Sequence, residues 1–186
     1  MIRTFIAIRL PDPILEALGT LAGDLARNWP AWSVRWVRAE GIHLTLRFLG
    51  NTDADLLPAL KSGLDEAIAD FAPFELRLDD MDCFPNPHRP RVLWVGVRDE
   101  EDRLASLQKA VELMVQKCGW EREDKVFKPH LTLGRMKDRQ RPPQGEWLLR
   151  PPDLAFEVGA IELIESRLKP TGAEYVTLHQ APLTAG

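Results

Sequence analysis

The tetrapeptide His-Leu-Thr-Leu is written at residues 43–46 and again at residues 130–133, 87 positions apart, in a chain with only four histidines. The same offset carries the apolar run 5–10, FIAIRL, onto 92–97, VLWVGV. It also carries 74–78, FELRL, onto 161–165, IELIE. These are short apolar runs of strand character. Helix-like stretches follow the first pair, over 11–28 and 99–117, with Asp12 placed to cap and Pro13 tolerated in a first turn. Strand, helix, HLTL strand and later strand thus recur in one order, the mark of an internal duplication, which sets the architecture. We expect one bilobal domain over 1–186, built of pseudo-repeats of about 1–87 and 88–186.

The copies differ between their HLTL strand and the later strand. Residues 53–70 space Leu56, Leu57, Leu60, Leu64, Ala67 and Ile68 as one face of a helix. The counterpart, 138–152, contains four prolines and is expected to be a loop with at most a short turn. Residues 174–183 read as a closing strand. Strands and helices in two similar halves predict an α+β fold of two pseudo-symmetric lobes, meeting at a cleft that suits a ligand.

On a strand, alternate side chains point to opposite faces. Leu44 and Leu46 then enter a core, and His43 and Thr45 share the other face; His130 and Thr132 repeat the arrangement beside Leu131 and Leu133. A single copy reads as an ordinary amphipathic strand. Two copies differ, because a drifting duplication keeps its apolar pattern easily but has little structural reason to keep both His and Thr off the core. Facing pairs offer one neutral and one protonated imidazole as general base and general acid, with hydroxyls to hold oxygens between them. An in-line displacement at phosphorus needs that set. Neither HLTL strand adds a carboxylate at an alternate position, so no metal site is expected; GxSxG and GxxxxGK motifs are absent. With histidine alone to activate water, a strained five-membered cyclic phosphate is the favoured substrate.

Strict alternation extends the first strand to put Arg47 on the His43 face, opposite bare Gly134 in the second copy. It turns Arg135 away from His130 unless the strand kinks at the glycine. Further cations gather around the motifs: Arg35 and Arg38 before the first, and Lys125, Lys128, Lys137, Arg139 and Arg141 around the second. They read either as a solvated surface or as a track for an RNA backbone. Phe127 and Trp36 are candidates to stack on a base. His88 is placed in a surface loop and His179 in the closing strand, where it packs or hydrogen-bonds.

Composition narrows the classes. With 45% hydrophobic residues in 186, the chain can build a real core, and a net charge of −4 excludes coating nucleic acid by bulk charge. The cations are 17 Arg and 7 Lys, a bias toward the planar fork that grips phosphate, though genome composition produces the same bias. Cys83 and Cys118 form no metal or redox spacing and are expected to be buried free thiols. No apolar run reaches membrane-spanning length, and we expect a cytoplasmic protein.

Beyond the paired HxTx motifs, FIAIRLPD, VRWVRAEGIHLTLRFLG, FPNPHRPRVLWVGV, FKPHLTLGR and ESRL resemble segments of the RNA 2′,3′-cyclic phosphodiesterases. These are also called 2′–5′ RNA ligases and fall within the 2H phosphoesterase superfamily. The resemblance runs over essentially the whole chain. It implies two antiparallel sheets around a central cleft. It also implies metal-independent opening of a terminal 2′,3′-cyclic phosphate to a 2′-phosphate, with no cofactor and with RNA 3′ ends as the partner. By motif position His43 is then the proton donor to the leaving oxygen and His130 the acceptor that activates water. Thr45 and Thr132 hold phosphoryl oxygens, and Arg135 matches a family arginine. The pseudo-symmetry alone does not tell donor from acceptor. The same site run in reverse would join a cyclic phosphate to a 5′-hydroxyl, and a binding module without turnover is the reading from another class. Nothing in the sequence obliges a dimer or a protein partner.

Overall fold

A computed structural model describes residues 1–137, 140–170 and 172–184. It is an α+β structure in which one curled, antiparallel sheet carries three helices among the described residues. β1 (Ile2–Arg9) leads into α1 (Asp12–Asn28), and a short β2 (Val34–Trp36) precedes β3 (His43–Thr52). α2 (Leu57–Ala67), β4 (Phe74–Phe84), β5 (Val92–Arg98) and α3 (Arg103–Lys117) follow. β6 (His130–Met136), β7 (Ala155–Val158), β8 (Ala160–Lys169) and β9 (Gly172–Pro182) complete the chain. The strand order is β7-β4-β5-β6-β3-β1-β8-β9, with β2 pairing alongside β6.

Two lobes, β7-β4-β5-β6 with β2 alongside and β3-β1-β8-β9, therefore meet at the β3–β6 seam, where a single registered pair, Leu44 with Leu131, joins them. Strands 87 positions apart take equivalent places. β1 lies between β3 and β8, and β5 lies between β6 and β4. The lobes are not the two halves of the sequence, however. β4 comes from the first half and completes the lobe of β5 and β6, while β8 comes from the second half and completes the lobe of β1 and β3.

The helices bury their apolar stripes against one face of this sheet. Ile14, Leu18, Leu21, Ala22 and Leu25 repeat along α1 at three- and four-residue spacing and are buried. They join Ile6, Ile8, Leu44, Leu46, Leu93, Val95, Leu131 and Leu133 from the strands, and Leu107 and Val111 from α3, in one core. Leu44 and Leu131 are fully buried, so truncating either to alanine is expected to cost about 2–5 kcal/mol. The opposite face holds a small apolar patch of Phe5, Ala7 and Ile164, with Tyr175 packed on it.

Some local expectations are corrected. α1 starts at Asp12, so Pro11 takes the capping position without a side-chain bond. Asp12 lies in the first turn, where its charge favours the exposed N–H groups. α3 starts at Arg103, four residues later than expected. The Asp99 carboxylate accepts from the Glu101 and Leu104 amides and holds the preceding turn, with Asp102 at φ 54°. α2 is shorter than 53–70, and a 3₁₀ turn, Ala54–Leu56, leads into it. Described residues 140–152 form neither helix nor strand, but Trp147 is buried edge-on against Trp29 at 5.1 Å. Both cysteines are free; Cys83 is buried, which pushes its thiol up to about 11, while Cys118 is only half-buried.

Candidate active site

Both histidines stand at the first position of their strands, on the face away from the helices. Continuing the Leu44–Leu131 register by one residue each way sets His43 across from Thr132 and Thr45 across from His130. Two imidazoles and two hydroxyls thus form a diagonal quartet over the seam. Neither threonine hydroxyl is engaged by another protein group among the described residues.

The rings are held identically. The Nδ1–H of His43 donates to the carbonyl of Gly41 at 2.8 Å, and that of His130 donates to the carbonyl of Lys128 at 2.7 Å. A carbonyl only accepts, so Nδ1 carries the proton and Nε2 is left free in each neutral ring. Aromatic side chains fix the ring planes. His43 stacks on Phe5 at 4.7 Å and meets Tyr175 edge-on at 5.1 Å. His130 meets Phe84 edge-on at 5.0 Å, with Trp94 at 5.9 Å.

Burial is the main reason both histidines resist protonation, pulling His43 down to about 4 and His130 below its ordinary value. Positive neighbours add to it: Arg9, His130 and Arg135 around His43, and Arg135 and Lys128 around His130. A charge on one histidine therefore opposes a charge on the other. Lys128 holds its ammonium 4.9 Å over the Trp94 ring and 5.2 Å over Phe84, next to His130. Arg9 is itself paired with Glu162 at 3.3 Å, so the positive field that suits a phosphate comes chiefly from Arg135 and Lys128.

The two arginines exchange the roles that strict alternation gave them. β3 carries an extra residue at Leu46, since Ala7 pairs with Thr45 and Ile6 with Arg47. β6 carries one at the equivalent Leu133, since Trp94 pairs with Thr132 and Leu93 with Gly134. Each bulge reverses the alternation beyond it. Arg47 is thereby turned to the helix face, a correction of its expected place beside His43. There its Nε lies 2.7 Å from Glu112, Nη1 3.2 Å from Glu123, and Nη2 donates to the Glu121 carbonyl at 2.6 Å. Phe48 takes the site face instead, 54% exposed, with its ring 5.9 Å from Phe5. In β6 the same device brings Arg135 onto the face of His130 and Thr132, exposed and without an ion-pair partner among the described residues. Gly134 faces inward because β2 lies over it: a Cβ there would stand 2.7 Å from Val34 Cγ1 and 3.0 Å from the Trp36 ring.

The remaining candidates disperse. Phe127 is half-buried and packs on the main core, as does Trp36. Arg35, Arg38, Lys125, Lys137 and Arg141 are exposed, and Arg139 lies outside the described residues. His88 is in an exposed loop; His179, in β9, bonds to Asp65 of α2 at 2.8 Å, away from the quartet. Sequence reasoning missed Phe5, Phe48, Phe84, Trp94 and Tyr175 as the frame of the site. One signal was available for Phe48: the buried leucines of β3 fall at 44, 46 and 49, and the three-residue gap announces a break in alternation. Among the described residues no group of three or more His, Cys, Asp or Glu stands together as a metal site, and no helix is long and apolar enough to cross a membrane.

Known proteins share this arrangement of chain. A protein of Archaeoglobus fulgidus named RNA 2′,3′-cyclic phosphodiesterase is 35% identical over 179 residues, spanning 95% of this chain and 97% of its own. One of the same name from Thermotoga maritima is 29% identical over 99% of this chain and 97% of its own. A crystal structure of a Thermus thermophilus protein superposes with a TM-score of 0.80 at 29% identity, covering 98% of both chains. That of E. coli LigT complexed with 3′-AMP gives 0.77 at 28% identity, again with 98% of both chains covered. The family model of the 2′-5′ RNA ligase superfamily matches residues 10–170, and the chain belongs to that superfamily.

Proposed function

We propose that the chain hydrolyses the 2′,3′-cyclic phosphate at RNA 3′ ends to a 2′-phosphate, with His43 and His130 as the acid–base pair and without a metal. The observation that carries this is the matched pair of imidazoles, each locked through Nδ1 to a backbone carbonyl and leaving Nε2 free. The names of the relatives from Archaeoglobus fulgidus and Thermotoga maritima supply the substrate class.

In the reaction, water oxygen bonds to phosphorus and the bond from phosphorus to O3′ breaks. Nε2 of His130 accepts the proton from water, and protonated His43 gives its Nε2 proton to O3′, following the family's assignment by motif position. Thr45 and Thr132 donate to the non-bridging oxygens, where charge accumulates in the transition state. The bound phosphate anion offsets the surrounding cations and raises the pKa of the histidine that must be charged. His43, held low in the free protein, takes up a proton from solvent as the anion binds and passes it to O3′.

The test uses purified protein in EDTA with 2′,3′-cyclic AMP and a short RNA ending in a 2′,3′-cyclic phosphate. A 2′-phosphate product is expected, with kcat lowered about 10²–10⁴-fold in His43→Ala or His130→Ala. Full activity in either variant sinks the acid–base assignment, and dependence on added metal sinks the metal-free mechanism. An RNA with a 5′-hydroxyl, added in the same assay, reports any 2′–5′ joining by the reverse reaction.

A further inference from the structure

Arg35 on β2 pairs directly with Arg135 on β6. Residues directly opposite in an antiparallel pair project on one face. Val34, Trp36 and Gly134 close on each other on the inner side, so both guanidinium groups project on the outer one, the face of His130 and Thr132. Like charges directly opposite on a sheet are destabilising. Both arginines are exposed, and neither has an ion-pair or hydrogen-bond partner among the described residues. Among the described residues the pair therefore stands unrelieved at the edge of the quartet, in a chain whose net charge is −4.

Its position gives it a use. With Leu133 bulged out, Arg135 lies two strand steps past Thr132, about 7 Å along β6. Arg35 lies one strand further to the side, about 5 Å away. That displacement is on the order of one nucleotide step from the phosphorus held by the quartet. Paired guanidinium forks match a phosphodiester better than any other part of a nucleic acid, since they offer planar donors to its two free oxygens.

We propose that Arg35, together with Arg135, grips the phosphodiester immediately 5′ of the terminal cyclic phosphate, so that the site selects the end of an RNA strand over a free cyclic nucleotide. This rests on the proposed reaction for the substrate's chemistry and adds a second anion subsite to it.

The experiment compares two dinucleotides with the same terminal cyclic phosphate and bases. One has an ordinary phosphodiester between its nucleotides, and the other an uncharged methylphosphonate. Wild-type protein is expected to favour the charged linkage in kcat/KM by roughly tenfold, the size of one charge-assisted contact. Arg35→Gln abolishes that preference, and Arg35→Lys, which keeps the charge but not the fork, leaves an intermediate one. Arg27→Gln, which removes an exposed charge from α1, on the helix-bearing side of the sheet, leaves the preference at its wild-type value. The same ligands as 2′-phosphate products are titrated calorimetrically against salt. Loss of Arg35 is expected to reduce the slope of log K on log[salt] by about 0.7 for the charged dinucleotide. A preference that survives Arg35→Gln overturns the proposal. So does an equal loss on both ligands, which places Arg35 on the terminal phosphate instead. If the wild type turns over neither substrate, the proposed reaction fails, while the calorimetric arm still decides the subsite.

Discussion

Each imidazole of the quartet is fixed by a backbone carbonyl two residues before it, so ring orientation depends on main chain rather than on another side chain. Histidine spectra of the unliganded protein should show His43 neutral until about pH 4, and a bound 2′-phosphate should move its titration upward. No movement on binding would count against a charged His43 in the complex. The same depression has a consequence for stability. An unfolded histidine protonates near 6.5, above its folded value, so protons favour the unfolded chain. The contribution is complete above about 6.5 and declines as pH falls toward 4; urea midpoints in that window should fall less steeply in His43→Gln. Arg47 yields a different prediction. Its removal takes the charged partner from Glu112, which keeps bonds from the Gln116 amide and the Glu123 N–H, at an expected cost of about 1–3 kcal/mol in denaturant titrations. Replacing both, as Arg47→Met with Glu112→Gln, should recover most of it. His43, Thr45, His130 and Thr132 were legible in the sequence because a repeated tetrapeptide fixes their spacing and shared face. Arg47 was misplaced because a period-two argument holds only as far as the first bulge, and Arg135 reaches the site face only through the kink on which its candidacy depended.

The bulges at Leu46 and Leu133 are the elements that separate structure from site. They sit at equivalent points of the two copies and make the two sides unlike: one ends in Phe48 and the other in Arg135. β2 is the second device, lying along β6 over Gly134 and bringing Arg35 with it. Gly134→Ala should pry β2 away, since its Cβ would meet Val34 Cγ1 at 2.7 Å. We expect a loss of about 1–3 kcal/mol in chemical denaturation. An unaltered midpoint would show that β2 gives way freely. Helix and strand positions were readable from apolar spacing, and four prolines announced the loop of 140–152. The start of α3 was not readable, because Asp99 caps a turn that the apolar pattern does not record.

At the scale of the molecule, equivalent strands at a fixed offset were visible in the sequence, but the exchange of β4 and β8 was not, since pairing partners leave no trace in a period. The exchange makes each lobe depend on both halves of the chain. Expressed separately, residues 1–87 and 88–186 are each expected to be unfolded by circular dichroism, and mixing them should restore the native spectrum. A folded isolated half would contradict this. The seam has a mechanical meaning as well. A single backbone pair, Leu44 with Leu131, joins the lobes, and the histidines flank it. If the lobes rock to admit RNA of different thickness, the far margins swing widely while the fulcrum hardly travels. Acid and base, mounted at that fulcrum, keep their spacing whatever the opening.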